Sequence, residues 1–137
     1  MSQDGIENKI RREILETGID TRHKLGAYLF VLNGLSYCLA GIGEIRHVNG
    51  SELSRSLLDF AVNQFGPLAR SVFADWGITA TEDFGTIVYN LIDIQVMGKD
   101  SGDRREDFTG VADIDSYFAG QDYFEIDKKF IKKTQCA

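Results

Sequence analysis

"DWGITATEDFGTIVYNLIDIQVMGKDSGD", residues 75–103, carries the clearest helical pattern in the second half of the chain. Apolar residues recur there three or four positions apart, which places them on one face of a helix. The members of this stripe are Phe84, Ile87, Val88, Leu91 and Ile92. Thr79 to Glu82 fits the S/T-x-x-E capping box, and Thr81 offers a second start two residues later. We predict a helix that begins at one of these threonines and ends at Gly98.

The same spacing predicts four further helices upstream. The first lies within residues 5–18, between two glycines. The strongest periodic signal covers residues 25–39 and predicts a central, mostly buried helix. Ser51 is the expected cap of the third helix, and Pro67 suits the first position of the fourth.

Beyond the helix of residues 79–97 the pattern becomes shorter and strand-like in "FTGVADIDSYF", residues 108–118. Helices in the order long, short, long, followed by a turn and extended chain, are typical of a winged helix. We therefore predict a mainly α (α+β) fold with about five helices, a small C-terminal β element and a winged-helix-like layout from about residue 51. A chain of 137 residues fits one domain. Residues 1–5 and 128–137 are expected to be flexible ends.

Charge is unevenly distributed along the chain, whose formal net charge is −6. Residues 75–127 carry 13 acids and 3 bases, whereas residues 128–137 carry 4 lysines and no acid. Non-specific affinity for DNA comes mostly from lysine and arginine that neutralise phosphates. Duplex DNA is therefore an unlikely partner for the acidic second half.

The longest apolar run, "LGAYLFVLNGLSYCLAGIG", is broken by glycine, asparagine, serine and tyrosine. We expect a buried core helix there and no membrane span. The N-terminus has charges of both signs and no apolar signal-like region, so we expect the cytoplasm as the compartment. Cys38 lies in the apolar run and Cys136 in the polar tail. We therefore expect one core thiol and one tail thiol, with no disulfide framework.

Several blocks of the sequence occur together in the same order: "AYLFVLNGLSY", "RHVNGSEL", "FGPLARSVFADWGI", "TEDFGTIVYNLI" and "SGDRREDF". Over about residues 25–110 the chain resembles a family of small bacterial proteins of unknown function, whose blocks read AYLFVL, RHVxG, FGPLAR and WGIxxTEDFGxIV. The resemblance implies a bacterial cytosolic protein. It implies no activity, so no catalytic residue is carried over from it.

The acidic residues of the helix and turn are the candidate partner-binding residues: Glu82, Asp83, Asp93, Asp100, Asp103 and Asp107. Three carboxylates on the presumed reading helix would repel a phosphate backbone. We therefore expect a non-enzymatic protein-interaction or regulatory module, whose acidic winged-helix-like face meets the basic surface of an unidentified protein.

An alternative is association with RNA or the ribosome through basic groups. The candidate anion-binding residues are Arg46, His47, Lys128, Lys129, Lys132 and Lys133. Arginine binds anions with two hydrogen bonds, and histidine titrates near neutral pH. The competing interpretation is that Arg46 pairs with a nearby carboxylate, while His47 caps or packs at the start of an extended piece.

No motif predicts a catalytic residue, a metal or a cofactor. His23 lies between two basic residues and is expected to be solvated or to act as a cap. The acid-rich turn after Gly98 does not match an EF-hand loop, and there is no G-x-S-x-G or P-loop pattern. An enzyme whose residues converge only in space stays open, as does the oligomeric state.

Overall fold

The structure, a computed structural model, describes residues 3–98 and 103–121. The helices in these residues are α1 Gln3–Ile10, α2 Leu25–Ile42, α3 Gly50–Phe65, α4 Ala69–Trp76, α5 Thr81–Asp93 and α6 Ile114–Ala119. A π-helical turn, Arg11–Leu15, extends α1, and single 3-10 turns cover Gly66–Leu68 and Arg105–Phe108. The mainly α class is confirmed. Residues 3–5, expected in a flexible end, belong to α1, while residues 128–137 lie outside the described residues.

Helix α2 is the central helix, as its periodicity predicted, and it packs against α1, α3, α4 and α5. Its Phe30 ring contacts the rings of Phe60, Phe65, Phe73 and Trp76 at centroid distances of 5.2 to 5.9 Å. By length and composition alone α2 could cross a membrane, because it has 18 residues and a mean hydropathy of 1.6. The polar residues in it do not interrupt the helix. The core helix of a folded domain passes the same test of length and composition, and α2 packs on four neighbouring helices.

The starts of α3 and α5 differ from the predicted caps. Asn49, not Ser51, caps α3: its side chain accepts a hydrogen bond from the Glu52 N–H at 2.8 Å, and the Glu52 carboxylate accepts from the Asn49 N–H at 3.4 Å. The cap position of α5 is Ala80, between the two predicted starts. The Asp83 carboxylate accepts there from the Ala80 N–H at 3.1 Å. Both helices thus hold a carboxylate at the positive end of the dipole.

Gly77 forms the turn between α4 and α5 with a left-handed φ of 76°. A Cβ at this position would clash with the Arg22 carbonyl oxygen, because the loop before α2 packs closely against the turn. Only glycine meets both the backbone angle and the close approach.

The strand prediction for residues 108–118 is wrong, because these residues form the end of a 3-10 turn, a bend and α6. The Phe108 ring lies against Gly50 of α3 and Gly85 of α5, where added Cβ atoms would come within 2.9 and 3.1 Å of it. The buried Thr81 hydroxyl donates to the Phe108 carbonyl at 2.7 Å. The chain is therefore held across two helices and does not project as a wing. In residues 3–98 and 103–121 there is no strand.

Candidate functional site

An apolar cavity of about 290 Å³ lies between α2, α3 and α5. Its walls are mainly aliphatic: Leu32, Leu35 and Leu39 from α2, Leu53 from α3, and Val88 and Ile92 from α5. The α2 leucines follow one another at spacings of three and four, which puts them on one helical face. The charged side chains among its lining residues come from the loops, and Tyr89 of α5 adds one hydroxyl group, so the cavity has a mainly apolar body and a charged edge.

The end of α5 completes the cavity wall. Gln95 has a positive φ of 65°, and the N–H groups of Val96 and Met97 donate to the Leu91 carbonyl at 2.9 and 3.2 Å. This left-handed end turns the chain back over the last turn of the helix. Val96 and Met97 consequently line the cavity instead of continuing along the α5 axis.

The rim consists of Arg46 and His47 from the loop before α3, and Asp103 and Arg104 from the segment that follows α5. The His47 Nε2 atom lies 2.6 Å from Asp103 Oδ1, and their side chains are 43% and 17% exposed. The sequence separates these two residues by more than fifty positions. The structure thus brings one residue of the anion-binding set and one of the acidic set into direct contact.

Arg46 is held by carboxylates, as the competing interpretation of this residue expected. Its Nη2 donates to Glu52 Oε2 at 2.7 Å, and its Nε lies 3.6 Å from Glu44 Oε1. The hydrogen bond to Glu52 raises the pKa of Arg46 and lowers the pKa of Glu52. A second hydrogen bond, from Nη1 to the His47 carbonyl at 2.8 Å, further fixes the guanidinium group.

The acidic residues assigned to partner binding do not form one face. Asp83 caps α5, Asp103 contacts His47, and Asp107 accepts from the Arg104 N–H at 3.4 Å while its carboxylate lies 3.6 Å from Arg104 Nη2. Glu82 and Asp93 are exposed. They lie roughly 16 Å apart along the axis of α5, since an α-helix rises about 1.5 Å per residue.

Asp100 and the four tail lysines lie outside the described residues. Glu82 is also engaged locally, since its Oε1 lies 3.2 Å from the Thr81 hydroxyl and 3.4 Å from the Gly110 nitrogen. Most of the acidic set that the structure describes therefore organises the chain's own turns.

His23 is 2% exposed, so of the two expected roles the solvated one is wrong, and the contact with the last residue of α4 fits the capping one. Its Nδ1 lies 3.2 Å from the Trp76 carbonyl oxygen, and its Nε2 lies 3.9 Å from Asp83 Oδ1. The ring therefore joins the loop before α2 to the end of α4 and the start of α5. Its neighbours Arg22 and Lys24 are exposed, which is why the local sequence gave no sign of this burial.

A second polar cluster joins the same loop to α5. Asp20 is nearly buried; it accepts from Arg22 at 2.7 Å and from the Asn90 amide at 2.9 Å. The hydrogen bond from Arg22 holds the pKa of Asp20 well below its usual range. Asn90 also donates to the Tyr28 hydroxyl at 3.1 Å, and burial raises the pKa of Tyr28. The cluster stabilises the fold and lies away from the cavity residues.

Within the described part of the chain, no group of three or more histidine, cysteine, aspartate or glutamate side chains could hold a metal ion. The fold and the cavity together define a small helical domain with an apolar cavity bordered by ion pairs. Comparisons with known protein families, curated proteins and solved structures find no match.

Proposed function

We propose that this chain is a non-enzymatic binding module whose ligand enters the apolar cavity between α2, α3 and α5. The observation that supports this proposal is a cavity of about 290 Å³ with aliphatic walls and a charged rim. Burying apolar surface against such walls contributes about 25 cal/mol per Å². Apolar concavities with a few polar groups at the edge are the usual form of a small-molecule site. As the sequence resemblance implies, the module would work in the bacterial cytoplasm.

A protein partner with a basic surface remains part of the proposal as the receiver of a regulatory signal. Its contacts would be the exposed carboxylates of Glu82 and Asp93, of which Glu82 also contacts Thr81 and Gly110. The winged-helix-like layout from about residue 51 is supported by the long, short, long order of α3, α4 and α5.

The test of the cavity is a titration with 1-octanol, a neutral compound with a flexible apolar body, followed by amide chemical shifts. We expect saturable shifts concentrated on the cavity walls, at Leu35, Val88 and Val96. Val96→Phe should abolish them, since the larger ring would occupy the cavity that Val96 lines.

Val72→Phe is the matched control. Val72 is also half-buried but lies on α4, outside the cavity lining. This variant should bind octanol like the wild type. Equal octanol binding by Val96→Phe and Val72→Phe would overturn the assignment of the cavity as the site.

A further inference from the structure

We infer that the ligand is an amphipathic carboxylate, whose alkyl body lies among the leucines and whose singly charged head meets Arg46 and Arg104. This inference rests on the proposed function, because it needs the cavity to be a binding site. It adds the charge and the chemical class of the ligand.

The polar side chains that line the cavity are Tyr89 of α5 and, from the loops, Arg46, His47, Asp103 and Arg104. Two of them are guanidinium groups, which match a carboxylate with parallel hydrogen bonds. Asp103 is the only acid among the lining residues that the structure describes, and it is already in contact with His47 at 2.6 Å. The two guanidinium groups are therefore the charged groups at the rim that pair with no other lining residue.

The carboxylates that hold the two guanidinium groups stand behind the rim. Glu44 and Glu52 pair with Arg46, and Asp107 pairs with Arg104, but none of the three is a lining residue. Glu52 fixes the position of Arg46 and Asp107 attracts Arg104 more loosely, and neither carboxylate occupies the cavity. Fixed donors bind an anion at a lower entropic cost than mobile ones.

Each arginine retains a donor for a ligand. Among the described residues, Arg46 Nη2 makes one hydrogen bond, to Glu52, and a guanidinium nitrogen of this kind carries two hydrogens. Arg104 Nη2 lies 3.6 Å from Asp107 Oδ1, beyond hydrogen-bonding distance, and its side chain is 73% exposed. A ligand carboxylate at the usual distance would therefore form the shorter contact with Arg104.

The surrounding acids limit the head to one negative charge. Glu44, Glu52, Asp103 and Asp107 lie around the two arginines, so a second negative charge on the head would add repulsion without gaining a further guanidinium group, and a doubly charged phosphate should bind less tightly than a monoanion. The same arrangement disfavours an RNA backbone at Arg46 and His47. A fatty-acid-like monoanion fits the aliphatic walls and can accept from the remaining guanidinium donors with the least added repulsion.

The experiment compares octanoate, 1-octanol and octylamine, which share one alkyl body, by calorimetric titration of the full chain at neutral pH. Octanoate should bind about tenfold more tightly than octanol, since one charge-assisted hydrogen bond is worth about that factor. Octylamine should bind most weakly. Arg104→Gln should weaken octanoate about fivefold and leave octanol unchanged.

Arg70→Gln is the control for the loss of one charge. The Arg70 side chain is 63% exposed and pairs with Asp115 at 3.0 Å, and it does not line the cavity. This variant should bind all three compounds like the wild type. Arg104→Lys, which keeps the charge and loses the planar fork, should bind octanoate with an intermediate affinity.

Two failures are distinguishable. If octanol matches octanoate, if octylamine binds best, or if Arg104→Gln leaves octanoate unchanged, the carboxylate inference is wrong while the cavity remains a binding site. If none of the three compounds binds, the proposed function fails together with the inference.

Discussion

Replacing Gly34 by alanine should destabilise the protein, although the same change normally favours a helix. Gly34 lies within α2, and an added Cβ would come 2.2 Å from Leu57 Cδ2 and 3.4 Å from Phe60 Cδ2. Leu57 is fully buried, so its side chain cannot move aside without disturbing the core. Helix propensity favours alanine by about 1 kcal/mol. Overpacking costs about 1–3 kcal/mol, so we expect a net loss of up to about 2 kcal/mol.

Gly41→Ala is the matched control for this prediction. Gly41 belongs to the same helix, but nothing lies within 4 Å of an added Cβ. This variant should gain about 0.5–1 kcal/mol from propensity alone. Urea unfolding, with the midpoint read at constant slope, should separate the two variants by about 1–3 kcal/mol. Equal stabilities of the two variants would refute the close approach of α2 and α3. The double variant Gly34→Ala/Leu57→Ala should lose less free energy of unfolding than the two single variants together.

Two further changes test the polar contacts. The folded pKa of Asp20 is depressed, so its contribution to stability is present at neutral pH and lost as the pH falls below about 4. Asp20→Asn should therefore lower the free energy of unfolding at pH 7. The difference in this free energy between variant and wild type should become smaller in acid, and an equal difference at both pH values would count against the Arg22 pairing. Thr81→Val removes the donor to the Phe108 carbonyl and should cost about 1–3 kcal/mol in thermal or urea unfolding, whereas no loss would contradict the buried bond.

Helical periodicity predicted α1 to α5 and the central place of α2, although α5 ends at Asp93 and not at the predicted Gly98. It failed at residues 108–118, where a few apolar residues were interpreted as strand spacing. Phe108, Val111, Ile114 and Phe118 are in fact three or four positions apart, a spacing that also suits helical turns. The Phe108 ring occupies the space that Gly50 and Gly85 leave. This contact joins distant parts of the chain, so the sequence of residues 108–118 alone does not show it.

The cavity could not be predicted for a similar reason. Its leucines and valines belong to the stripes that the sequence assigned to the core, and a core residue and a cavity-wall residue look identical in sequence. The His47 and Asp103 contact joins two regions that were interpreted separately, one as basic and one as acidic. Their meeting depends on how the end of α5 turns back at Gln95.

Three acids of the second half have a structural role that does not require a partner. The starts of α5, of the 3-10 turn Arg105–Phe108 and of α6 all fall within it. Each start is capped by a carboxylate, from Asp83, Asp107 and Asp113 respectively. Negative side chains at these positions satisfy backbone N–H groups and complement the helix dipole. A segment with many short helical starts therefore accumulates acids for its own folding, and charge asymmetry alone is weak support for a binding face.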